Sequence, residues 1–178
     1  YGHPGSEDGG RMMFLLDANT FITPKNSYYG FDLAPGFWTW LERAHAAGWV
    51  ASVEAVRQEL CRGGDELATW ASNHPQLFLP PTSEVPQRIG ELAQWTLTRQ
   101  PAYQQAAQDE FLDDSADLLL VAQAACMDAT VVTFEVPAPQ ARKRVKIPDA
   151  CAALGTRCVD LWECMRQTRP RLTLDLVP

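Results

Sequence analysis

The run Met12-Met13-Phe14-Leu15-Leu16-Asp17 sets five apolar residues in a row and closes them with a carboxylate. It is too short for a helix and does not alternate, which reads as a central strand over residues 13–17, buried on both faces. Val131-Val132-Thr133-Phe134 repeats the pattern and is followed by Glu135. Trp49-Val50-Ala51, Leu77-Phe78-Leu79 and Cys158-Val159 read as further short strands, and Leu172-Thr173-Leu174-Asp175-Leu176 as a final edge strand. Helical patterns separate them. Phe37, Trp40, Leu41, Ala44 and Ala47 recur at helical spacing and Gly48 supplies the stop. Ser52 stands where it would cap a helix over Val53–Leu60 that carries Glu59. Asp65 opens a helix to about Asn73, and residues 83–99 and 102–112 read as two helices parted by Pro101. Residues 114–127 are apolar after an acid-rich start, residues 149–154 make a short helix, and a last helix starts at Leu161. The Tyr/Phe-containing stretch Pro24 to Gly36 and the polar stretch Pro137 to Lys146 read as surface loops.

Strands that alternate with helices predict a three-layer α/β/α domain with a mostly parallel sheet of about four or five strands, its extra helices falling between residues 65 and 112. The length of 178 residues suits one domain, expected over residues 12–178. Residues 1–11 are polar and glycine-rich and are expected to be a tag or disordered leader. Hydrophobic content of 46% and charged content of 21% are ordinary globular values. No run is long enough to cross a bilayer and no signal peptide is visible. Five cysteines without a CxxC argue against a zinc ribbon or a disulfide framework and fit a reducing cytoplasm.

The net charge of −7 is at first sight wrong for a protein that handles nucleic acid. Its distribution changes the picture. Residues 141–178 hold eight basic residues against four acidic ones, and residues 1–140 hold seven against eighteen. An acidic site that loads cations beside a basic flank suits a polyanionic substrate, and equally a basic protein partner.

In open parallel sheets ligands bind outside the carboxyl ends of the strands. Asp17 and Glu135 fall at two such ends, and Glu59 and Asp117 come from helices. Taken singly, an acid at such a place is a cap or a solvated group. A set of four is different, because carboxylates about 5 Å apart repel by roughly 3 kcal/mol at an effective dielectric near 20. Cations or protons must neutralise them. Mg²⁺ and Mn²⁺ take oxygen ligands, which this set offers without competition from His or Cys, and such ions promote in-line displacement at phosphorus.

The order of four short motifs carries a resemblance. Leu15-Leu16-Asp17-Ala18-Asn19-Thr20-Phe21-Ile22, then Val56-Arg57-Gln58-Glu59-Leu60, then Ser115-Ala116-Asp117-Leu118-Leu119-Leu120-Val121-Ala122-Gln123-Ala124, then Val131-Val132-Thr133-Phe134-Glu135 resembles the PIN-domain ribonucleases, which include the VapC toxins of toxin–antitoxin pairs. The likeness spans residues 12–165. It implies a Mg²⁺- or Mn²⁺-dependent endoribonuclease that leaves a 5′-phosphate and a 3′-hydroxyl. Asp17, Glu59 and Asp117 match the family's first three acids. Glu135 stands where many members have Asp, one methylene longer, and is expected as an outer or water-mediated ligand. Asn19 and Thr133 resemble its polar helpers, which hydrogen-bond an acid or a substrate phosphate. Lys146-Ile147-Pro148-Asp149-Ala150-Cys151 looks like a subgroup without an assigned role. An RNA substrate, an antitoxin protein and a homodimer are the partners that follow from the likeness.

The basic run Arg142-Lys143-Arg144, with Lys146 two residues on, offers sequence-independent affinity for a phosphate backbone, with a solvated loop as the plain alternative. Asp113 and Asp114 lie four and three residues before Asp117 and are expected on its helical face, Asp114 as the N-cap. Tyr28, Tyr29 and Phe31 would stack bases if their loop borders the site, though packing is the simpler role; Asp32 there reads as a turn residue. His3, His45 and His74 show no ligand spacing and read as surface residues, as does Arg57. Of six tryptophans, one or two exposed ones would mark a partner groove or a dimer face. A haloacid-dehalogenase-type phosphatase needs a second Asp two residues after the first, where Asn19 stands. A Rossmann cofactor-binder needs a GxGxxG that is missing. A PIN-like module that has lost activity and binds a protein or RNA partner is the remaining rival.

Overall fold

In the computed structural model, which describes residues 12–113 and 115–173, every strand pairing is parallel. The strands are β1 (Phe14–Leu16), β2 (Val50–Val53), β3 (Phe78–Leu79), β4 (Thr130–Val132) and β5 (Cys158–Val159), in the spatial order β3-β2-β1-β4-β5. Leu15 pairs Ala51 on one side and Val131 on the other, so β1 is central. Phe14, Leu15 and Leu16 are buried, as a strand covered on both faces must be. Helices between consecutive strands complete a three-layer α/β fold, as the alternation predicts.

The chain leaves β1 through α1 (Asn19–Asn26) and α2 (Pro35–Ala46) to β2, then through α3 (Glu54–Cys61) and α4 (Glu66–Asn73) to β3. It then crosses to the other side of β1 by α5 (Val85–Thr98), α6 (Gln105–Leu112) and α7 (Ala116–Met127), which lead to β4. Finally α8 (Ile147–Ala153) leads to β5, and α9 (Leu161–Thr168) follows. The order therefore reverses between β1 and β4, which defines a switch point outside their carboxyl ends. α7 is apolar on almost all sides because it packs on β1, β2 and β4 and is enclosed by α3, α5, α6 and α8. Gly48 and Gly64, at φ 76° and 64°, end α2 and the turn after α3 in the left-handed region that glycine adopts without strain.

Several local expectations are corrected. α1 occupies Asn19–Asn26 and extends through Pro24, so the first part of the expected loop is helical. Tyr29 stacks on Phe37 at 4.7 Å and Phe31 on Trp38 at 3.9 Å, which fixes these aromatics in packing, while Tyr28 is exposed. Ser52 is not a cap: it is the third residue of β2, and its hydroxyl donates to the carbonyl of Leu16 at 2.6 Å. Asp113 is exposed in the turn after α6 and does not share a helix with Asp117. The N-cap of α7 is Ser115, whose side chain accepts from the Leu118 N–H, and Asp114 lies outside the described residues.

His45 and His74 are half-buried and bonded to the carbonyls of Val50 and Trp70, and Arg57 ties α3 to α4 through the carbonyl of Ala71. All five cysteines are free thiols. The leader, His3 with it, lies outside the described residues, as do Leu174, Asp175 and Leu176 of the expected edge strand; Leu172 and Thr173 are not in a strand. Among the described residues no helix is long and apolar enough to cross a membrane.

Candidate active site

Asp17 is the first residue beyond β1, and the backbone fixes it firmly. Its N–H donates to the Val132 carbonyl on β4 at 2.9 Å, and its own carbonyl accepts from the Thr20 N–H and hydroxyl at 3.0 and 2.6 Å. The side chain is 2% exposed, and Oδ2 accepts from the Thr133 hydroxyl at 2.9 Å. That hydroxyl accepts in turn from the Glu135 N–H at 3.1 Å, so the exit of β4 orients the acid at the exit of β1. Burial pushes the Asp17 carboxyl up to about 6; the Thr133 hydrogen bond opposes this, and the charges of Glu135 and Glu59 add to it.

Asp117 lies in the first turn of α7, which Ser115 starts by capping the Leu118 N–H at 3.1 Å. It is half-buried and pushed up to about 7, first by burial, then by Asp17, Glu135 and Glu59, with Arg144 pulling the other way. Glu59 is exposed in the last turn of α3, and its charge reaches both aspartates. Four elements thus bring Asp17, Glu59, Asp117 and Glu135 within electrostatic reach of one another. Among the described residues, no three acidic, His or Cys side chains stand close enough together to close around an ion.

Glu135 differs from the others because its carboxylate is engaged. Oε1 accepts from the Lys146 ammonium at 3.0 Å, with the Arg144 guanidinium 3.5 Å away. Oε2 accepts from the Ile147 N–H at 2.8 Å, the start of α8. Asp149 completes this closure by accepting from the Ala138 N–H through both oxygens, at 3.2 and 3.1 Å. The segment Lys146–Asp149 therefore has a physical role, which is to tie the loop leaving β4 onto α8.

The basic side chains separate by environment. Lys146 faces Glu135, and Arg144 faces both Glu135 and Asp117. Arg142 donates from Nε to the Ala102 carbonyl at 3.1 Å, Lys143 is exposed, and Asn19 is exposed at the first residue of α1. Arg99 holds the same loop by donating to the carbonyls of Pro139 and Ala141. Beside Asp117, Ser115, Glu110 and Arg144 border a cavity of about 40 Å³. A single water needs roughly 10–15 Å³, so polar ligands around Asp117 have room for solvent.

Sequence reasoning did not separate Arg144 from its basic neighbours, nor see Ser52 as the hydroxyl that pins the end of β1. It expected an exposed tryptophan at a groove without telling which, and the structure places Trp162 there, together with Phe134, which the sequence did not single out. The signal for Arg144 was only its place in the run. For Trp162 it was an aromatic in the first turn of a helix that directly follows an edge strand.

A buried, hydrogen-bonded aspartate thus stands at the switch point of the parallel sheet, where open α/β sheets bind ligands, with a second acid from the most enclosed helix within electrostatic reach. The chain belongs to the family described as a domain of unknown function (DUF4411), whose model matches residues 14–172. No curated protein and no solved structure matches it.

Proposed function

We propose that the protein is a Mg²⁺- or Mn²⁺-dependent ribonuclease of PIN type, the activity that its resemblance to PIN-domain ribonucleases implies. The observation that carries the reading is Asp17, a 2%-exposed carboxylate held by Thr133 and raised first by burial and then by two neighbouring acids. Burial of this carboxylate without a basic partner costs stability, and Asp117 from α7 carries the same cost beside it. The donor set fits a hard divalent ion, since Asp17 and Asp117 are oxygen ligands with no positive side chain bonded to either carboxylate among the described residues. Asp17 and Asp117 would hold the ion directly, with Glu59 and Glu135 contributing through water. When bound, the ion supplies Lewis acidity at a phosphate oxygen and lowers the pKa of a water.

The chain's own residues do the rest. Thr133 keeps Oδ2 of Asp17 turned toward β4, which leaves Oδ1 for the ligand. Arg144, beside Asp117 and Glu135, offers a guanidinium to the phosphate undergoing cleavage. Arg142 and Lys143 face outward, where they would track the backbone. In this reading the protein acts in the cytoplasm, and an antitoxin and a second copy of the chain are its protein partners.

A second reading, an inactive PIN-like module that binds a protein or RNA partner, is favoured by one observation: no three of the acids converge on a common point among the described residues. Thermal unfolding against Mn²⁺ separates the two. An ion at 100 times its dissociation constant adds about 2.7 kcal/mol, or roughly 5–11 °C for a chain of this length. The ribonuclease reading expects that rise in the wild type, its absence in Asp17→Asn, and loss of RNA cleavage in the same folded variant. No rise in either protein would leave the inactive module.

A further inference from the structure

A groove of about 500 Å³ opens outside the carboxyl ends of β4 and β5. That volume lies in the range of small-ligand sites, roughly 300–1,000 Å³. It is lined by Phe134, Val136 and Pro137, where the chain leaves β4, by Pro148 of α8 and by Trp162 of α9. Trp162 is 40% exposed and Val136 71%, and no other tryptophan is comparably exposed among the described residues. The indole is nonetheless well supported. Its ring centre lies 6.3 Å from Phe134 and 6.2 Å from Tyr29, which is itself stacked on the buried Phe37. Asp160 fixes the first turn of α9 by accepting from the Glu163 N–H at 2.7 Å, and so sets where Trp162 projects.

We propose that this groove binds one unpaired base of a single-stranded RNA, next to the phosphate that is cut. The proposal rests on the ribonuclease reading and adds where the substrate is gripped. Thr133 is shared: its hydroxyl holds Asp17, and it also lines the groove. A nucleotide whose phosphate reaches Asp17 therefore has the groove as its nearest neighbour. Of the two acids in the lining, Glu135 is neutralised by Lys146 and Asp160 faces no cation among the described residues. Asp160 would repel a phosphate and accept from a base amino group, so the base enters while the backbone follows Arg142, Lys143 and Arg144. Every base offers a face to an aromatic ring, which makes such a platform tolerant of sequence. A protein partner fits less well. A standard interface takes about 800 Å² from each side, and only two exposed large apolar side chains, Val136 and Trp162, line this groove.

The test uses the full chain carrying Asp17→Asn, so that RNA is bound without being cut. Fluorescence anisotropy of a labelled single-stranded RNA is measured in Mg²⁺ for this protein and with Trp162→Ala or Trp162→Phe added. Loss of one stacked base corresponds to a weakening of about 5- to 100-fold for Trp162→Ala. Trp162→Phe keeps a ring and should stay within about threefold. RNA should also quench tryptophan emission in the parent and fail to do so in Trp162→Phe. RNA binding that is unchanged by Trp162→Ala overturns the base groove and leaves the ribonuclease reading standing. No RNA binding by any of the three proteins overturns the ribonuclease reading and the groove with it.

Discussion

Replacing Asp117 by Asn should stabilise the metal-free protein, and the gain should grow with pH. In the fold the Asp117 carboxyl titrates near 7, against 3.8 when unperturbed, and burial is the first cause. A carboxyl raised in this way stabilises the folded state fully below its unfolded value, and that contribution is lost as pH climbs to the folded value. Between pH 5 and pH 7 the unfolded chain has already released the proton and the folded one still holds it. Two pH units correspond to about 2.7 kcal/mol, and partial exposure of Asp117 reduces this to about 2 kcal/mol. Asn keeps the shape and never ionises, so the variant escapes the loss. Thermal unfolding in EDTA at pH 5, 6, 7 and 8 measures the difference between the two proteins at each pH. Other titrating groups are common to both and largely cancel. The difference in Tm should widen by roughly 4–8 °C from pH 5 to pH 8. A difference that does not change with pH would show that Asp117 carries no ionisation cost, and the electrostatic account of the acid cluster would fall.

Thr133→Val keeps the volume of the side chain and removes the donor to Asp17; calorimetry should show a loss of about 1–3 kcal/mol at pH 8, shrinking in an Asp17→Asn background. Glu135→Gln gives up the charge that faces Lys146 and Arg144. Hydrogen exchange should then quicken at the Ile147 and Ala150 amides of α8, and unchanged rates would argue against Glu135 as the tie. Ser52→Ala leaves the Leu16 carbonyl without its hydroxyl partner inside the sheet and should cost about 1 kcal/mol in urea unfolding. On the proposed function, Arg144→Ala should lower RNA cleavage by 10-fold or more while Lys143→Ala lowers it by less, because one charged hydrogen bond to the phosphate is worth about 1.5–3 kcal/mol.

The parts of this molecule that were legible in its sequence are those where local pattern and burial agree. Phe14-Leu15-Leu16 is apolar without alternation because both faces of the central strand are covered, and Asp17 marks where that strand stops. α7 is read correctly for the same reason. Ser52 failed because a serine before a helix has two uses, and a strand-end hydroxyl that bonds a neighbouring strand looks the same in sequence as a cap. α1 failed because Pro24 and the aromatics after it resemble a loop, whereas the helix continues through the proline. Asp113 failed because its spacing from Asp117 counts across two helices, α6 ending at Leu112 and α7 starting at Ala116. Glu135 was placed correctly in the chain, but its partners lie eleven and twelve residues on, where periodicity says nothing.

The engagement of Glu135 also resolves how an acidic protein would approach a polyanion. Of the four gathered acids, Glu135 is balanced by Lys146 and Arg144, and Glu59 is exposed to solvent. Asp17 and Asp117 have no basic side chain bonded to them among the described residues, and burial first, then the neighbouring acids, makes each hold its proton to a higher pH than a free carboxyl. Two carboxylates that share so little neutralisation match the charge of one divalent ion. A lysine in the same place would have removed the tension and left a stabler, inert core. The loop that supplies Arg144 is held by Arg99 and by the carbonyl of Arg142, which accepts from the Gln104 N–H at 2.8 Å, so its cations stay beside the acids without collapsing onto Asp17. On the proposed function the overall charge of −7 is a poor guide to this surface, because a phosphate would meet Asp17 and Asp117 with their cation and the Arg144 guanidinium on the same side.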